Sequence, residues 1–171
     1  LDELNTYSDQ TIYNFGQMTE NIGKFTAAGI GLKESVASIK GFSNMAAISG
    51  ANAQAAASGA YQLSQAMAAG VIKLQDWRSL EMSGIGGEQF QKAIFETGKA
   101  MGTLKGVPMG ETFEQWKDKG NVFRNSLEKG WVTADVMSTT LTAMTGDLDA
   151  AQMSALGYSD AQIQGLMDLA Q

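Results

Sequence analysis

The chain has 171 residues, 18 acidic against 12 basic side chains for a net charge of −6, a single proline, and neither cysteine nor histidine. At this length roughly 70% of the unfolded surface is buried on folding, enough for one domain or two closely packed subdomains. The missing thiol and imidazole exclude a disulfide scaffold, Cys-His and Ser-His-Asp nucleophiles and the usual His-bearing zinc sites. The acidic balance disfavours binding to phosphate backbones, which depends on Lys and Arg displacing counterions, so nucleic acid is not an expected partner.

The sequence opens at Leu1 with no Met and no basic n-region, so no signal peptide is read and the chain has the look of a piece of a longer protein. The first helix is predicted around Met18, Ile22 and Phe25 and stops at Gly29; a second amphipathic stretch carries Leu32, Val36, Ile39 and Ile48 and stops at Gly50. From Gly41 to Ile72 there is no charged residue, and Ala, Ser, Gly, Gln and Asn dominate. Within it, Asn52 is set to cap a helix through Ala69, with Ala56, Ala60, Leu63 and Met67 on one face and Gly70 as the terminating residue. A spanning helix needs about 20 predominantly apolar residues, and Asn52, Gln54, Gln62 and Gln65 interrupt the run, so a buried soluble helix with small contact residues is expected.

Beyond the charge-free stretch, Asp76 is read as the cap of a short helix from Trp77, Gly84 to Gly87 breaks the chain, and Glu88 to Met101 resumes with Phe90, Ile94 and Met101 on one side. The segment Leu104 to Gly110 holds Pro108 between glycines; if an irregular hairpin exists, 104–122 is where it has room. Thr112 with Gln115 forms a capping box for a helix through Trp116 and Lys117, and Phe123 to Lys129 makes another short helix before Gly130. Thr133 caps a helix with Val136, Leu141 and Met144; Asp149 opens a short helix ending at Gly157; Ser159 with Gln162 opens the last, carrying Ile163, Leu166 and Met167. No alternating strand of useful length is found. The predicted fold is all-α, a compact multi-helical domain of short glycine-terminated helices. Residues 1–102 are expected to form its helical core and 103–171 a C-terminal helical subdomain packed on it.

Four segments carry a family resemblance: TIYNFGQMTENIGKFTAAGI (Thr11 to Ile30), SVASIKGFSNMAAISGANAQAAASGAYQLSQAMAAGVIKLQDW (Ser35 to Trp77), GIGGEQFQKAI (Gly84 to Ile94) and FRNSLEKGWVTADVMSTTL (Phe123 to Leu141). Together they resemble the N-terminal tape-measure domain of long-tailed bacteriophages and prophages, over roughly Thr11 to Leu166; Met109 to Gly120 fits least well. The resemblance implies a virion structural protein, not an enzyme, inside the tail and in the host cytoplasm during assembly. It implies a role in tail assembly and tail-length determination, with tail tube, tail assembly chaperones, tail tip and copies of itself as partners. No catalytic, cofactor-binding or metal residues are assigned. A ruler helix needs long unbroken periodicity at about 1.5 Å per residue, whereas glycine stops recur here, so the module is expected to be a compact unit at one end of the rod.

Two other readings compete. Glu34-Ser35 with Ser58-Gly59-Ala60-Tyr61-Gln62-Leu63 is faintly similar to pieces of lytic transglycosylases, in which a Glu serves as acid and base; the Gly-Leu-Met-Gln piece itself is absent, and a Glu near a helix start is more often a charge placed to favour the helix dipole. Ala55, Gly59, Ala60 and Ser64 would suit close helix contacts in lipid during genome ejection, the one stage at which membrane contact is expected, or a soluble core. Trp77, Trp116 and Trp131 are candidate partner anchors or core edges, and the ten methionines either adapt to partners or fill core gaps.

Overall fold

A computed structural model describes residues 22–27, 29–108, 110–145, 149–155 and 158–169, apart from the side chains at 48, 53, 166 and 169. Its described residues are helical at 22–27 and then in nine α-helices: α1 Leu32–Ile48, α2 Ala53–Ala68, α3 Leu74–Met82, α4 Glu88–Met101, α5 Phe113–Asp118, α6 Phe123–Ser126, α7 Ala134–Ala143, α8 Ala150–Ala155 and α9 Asp160–Leu169, with a 3-10 turn at Leu127–Lys129. No strand occurs among the described residues; a lone antiparallel bridge joins Val71 to Thr133. The loop 104–111 holds turns where a hairpin had room, because Gly106 at φ +78° and the Glu111 amide bonded to the Pro108 carbonyl close the backbone locally.

Local capping explains most helix starts. Asn52 accepts from the Ala55 amide at 2.8 Å, Thr112 and Gln115 bond reciprocally at 3.0 and 2.9 Å, Thr133 accepts from Val136 at 3.1 Å, and Ser159 and Gln162 repeat the reciprocal box at 3.3 and 2.8 Å. One start differs from the expectation: α3 begins at Leu74, three residues before Trp77, and Asp76 lies inside it. Its carboxylate reaches back to accept from the Lys73 amide at 2.9 Å, the half of a capping box available when the cap residue is a lysine with no acceptor of its own. Asp149 and Gln152 bond each other's amides before α8, while the expected stop at Gly157 lies outside the described residues, as do Met18 and the Leu166 side chain.

One hydrophobic cluster runs from Ile22 and Phe25 to Met153, Tyr158 and Ile163. At its centre α1 packs chiefly on α7, α7 also on α4, and α2 on α3. Residues 38 to 43 of α1 are all buried, so this helix is enclosed on more than one side, and Lys40 is enclosed with it. Gly41 makes the α1–α7 approach possible, since a β-carbon there would fall on the Leu141 carbonyl. Asn44 then donates to the carbonyls of Met144 and Thr145 at 2.7 and 3.2 Å, satisfying the end of α7. Two expected core positions lie outside the cluster. Leu32, in the first turn of α1, is 64% exposed, and Met101, in the last turn of α4, is 38% exposed; each sits at a helix end.

Aromatic rings fill the other half of the core. Trp77 stacks obliquely on Phe90 and Phe123 at centroid distances of 5.5 and 4.8 Å, and Phe123 meets Trp131 edge-on at 5.8 Å. Phe95 meets Phe113 and Trp116 at 5.4 and 5.2 Å. The bridge at Val71 is flanked by backbone bonds from Ile72 to Val132 (2.8 Å) and from Ala134 to Gly70 (2.9 Å), which tie the exit of α2 to the entry of α7.

Candidate functional site

All three tryptophans are core residues: Trp77 is fully buried, Trp116 and Trp131 nearly so, and Trp131 donates its indole N–H to Ser126 at 2.9 Å. The small-residue face of α2 is likewise turned inward. Gly59, Ala60 and Ser64 are buried and Ala55 half-buried; a β-carbon at Gly59 would stand 2.9 Å from the Phe42 ring and 3.0 Å from Ile85. No helix of the described residues is long and apolar enough to cross a membrane.

Glu34 stands exposed in the first turn of α1, where a carboxylate favours the exposed amides of the helix end. Gln62 is half-buried on α2 and Tyr61 exposed, its hydroxyl accepting from Gln65 at 2.6 Å. None of Glu34, Tyr61 and Gln62 lines the three clefts described next.

The first cleft, about 430 Å³, opens between α4, residues 110–112 and α9. At its edge Lys99 is buried on α4, its ammonium donating to the Glu111 carbonyl at 2.6 Å, paired with Glu96 at 3.3 Å and lying 4.8 Å from the Phe95 ring centre. The Glu111 carboxylate pairs outward with Lys119. Gln162 of α9 donates to the Glu96 carbonyl at 3.1 Å, and Tyr158 bonds Thr97 at 2.5 Å. Burial, with the Glu96 charge adding to it, pushes the Tyr158 hydroxyl up to about 12 against a smaller lowering from Thr97. Polar bonds thus attach the C-terminal helix to α4.

Two further clefts, of about 170 and 480 Å³, share Leu104, Lys105 and Lys129 and so form one trench along the α4–α5 loop and the 3-10 turn. Lys119 stands on its wall. Lys105 and Lys129 are exposed and form no ion pair among the described residues. Sequence reasoning missed this trench, although a signal was present: every basic residue falls between Lys24 and Lys129, and residues 130–171 hold five aspartates with no Lys or Arg.

Fold and surfaces together define an all-α packing module whose chemistry is that of helix joining: glycine contacts, reciprocal caps and an aromatic core. The family model described as "Tape measure protein" matches residues 1–168. The chain belongs to that family and has a structural role in the phage tail. No curated protein and no solved structure matches it. Two segments that carried the resemblance, the exit of α2 into Leu-Gln-Asp-Trp and Gly-Trp-Val-Thr-Ala-Asp-Val, are the ones joined by the Val71 bridge.

Proposed function

We propose that this chain is a compact docking module of a tail tape measure protein, acting in tail assembly through protein–protein contacts instead of serving as a length of the ruler. The observation that carries this reading is the economy of its surface. The folded chain exposes 8215 Å², close to the roughly 8,100 Å² expected of a globular monomer of its 18.1 kDa. The longest described helix has 17 residues, about 26 Å at the α-helical rise. The tail tube, the assembly chaperones and the tail tip are the partners this reading assigns, in the host cytoplasm during assembly and then inside the tail, and no catalytic step is assigned to it.

The test is an in-frame deletion of the 171 residues from the tape measure gene of the parent phage, scored by electron microscopy of tails. A docking module is expected to give no tails or irregular ones. Tails uniformly shorter by about 250 Å, the length of 171 residues as one helix, would make it a ruler segment. Clearing of a peptidoglycan suspension that disappears in Glu34→Gln would replace the structural reading with an enzymatic one.

A further inference from the structure

We propose that the Lys105–Lys129 trench docks the acidic C-terminal end, Asp149 before α8 with Asp160 and Asp168 of α9, of a second copy of this chain. The two surfaces are complementary in charge. The trench is rimmed by Lys105 and Lys129, neither ion-paired among the described residues, with Lys119 on its wall already shared with Glu111. The C-terminal region supplies the opposite sign with no basic residue of its own: Asp149, Asp160 and Asp168 are all exposed, and no basic residue follows Lys129. A chain of net charge −6 repels its own copies on average, so a specific contact needs this kind of local inversion, in which a positive patch meets a negative one and sets the orientation. The trench of one copy meets the acidic end of another, either reciprocally in a two-fold dimer or head to tail in a ring or stack.

The inference rests on the docking reading above and names one partner for it. The test uses the 171-residue chain in analytical ultracentrifugation at low ionic strength and at about 1 M salt, where screening acts within about 3 Å. Association is expected at low salt and its loss at high salt. Lys105→Glu with Lys129→Glu is expected to weaken association at least about tenfold, with circular dichroism unchanged because both side chains are exposed and unpaired. Asp160→Lys with Asp168→Lys is expected to do the same, and mixing the two variants to restore association, since each then offers one intact or re-matched surface. A wild-type chain that stays monomeric at low salt, an association indifferent to salt, or a mixture that fails to associate would overturn the proposal. A monomer that still co-purifies with tail tube or chaperone proteins would remove the self-contact while leaving the docking reading in place.

Discussion

The α1–α7 crossing and the α4–α9 contact join helices by opposite means. In the first, charge is absent from most of α1, Gly41 lets backbone approach backbone at Leu141, and Asn44 closes the end of α7. In the second, Lys99, Glu96, Gln162 and the Tyr158–Thr97 pair bridge helices that leave a cleft of about 430 Å³ between them. Close packing gains dispersion and apolar burial that no single substitution can restore elsewhere. A polar attachment gains less net free energy, because each bond replaces one to water. The interior of the domain is therefore held by close packing and its C-terminal edge by polar bonds.

The largest expected effect tests the first region. Gly41→Val inserts branched carbon where the Leu141 carbonyl already lies, and separating α1 from α7 is expected to cost about 3 kcal/mol or more, read as a lower urea midpoint. An unchanged midpoint would mean the two helices do not meet there. Next, Lys99→Met keeps the stem but removes the ammonium from Glu96 and from the Glu111 carbonyl. A loss of about 2 to 3 kcal/mol is expected, and Lys99→Arg is expected to recover part of it.

The Tyr158 hydroxyl gives a pH signature of the second region. Its folded value is raised to about 12, above the ordinary value near 10, so its contribution is fully present below about pH 10 and is lost as pH rises toward 12. Stability is expected to fall across that window in the wild type and to fall less in Tyr158→Phe, which itself costs about 1 kcal/mol through the lost bond to Thr97. Asn52→Ala, which removes the α2 cap, is expected to cost about 1 kcal/mol as well. Smallest of all, Glu88→Gln removes an exposed pair with Lys117, and no measurable shift of the urea midpoint is expected.

The helix boundaries were legible in the sequence because their determinants are local, whereas the meeting of Gly41 and Asn44 with the end of α7, a hundred residues away, was not. Asn52, Thr112, Thr133 and Ser159 lie within four residues of the amides they cap, and glycine at φ +78° after α1 or +92° after α2 marks a helix end through its own backbone. The start of α3 differs from the expectation by three residues because Asp serves equally as a cap or as the third helical residue, and only the position of Leu74 against its neighbours decides. Leu32 and Met101 carry apolar side chains at helical spacing, yet exposure at a helix end depends on how far other elements reach. The enclosure of Lys40 and Lys99, and the meeting of Lys105 with Lys129, join residues through tertiary packing that no periodicity encodes. The partition of charge along the chain was visible throughout, but its meaning needed the trench.

Small-angle X-ray scattering of the 171-residue chain tests the central claim most directly. A compact domain closed by the α1–α7 contact is expected to give a radius of gyration of about 16 Å and a single globular distance distribution. A rod approaching 250 Å, as one continuous helix of this length would give, would contradict it.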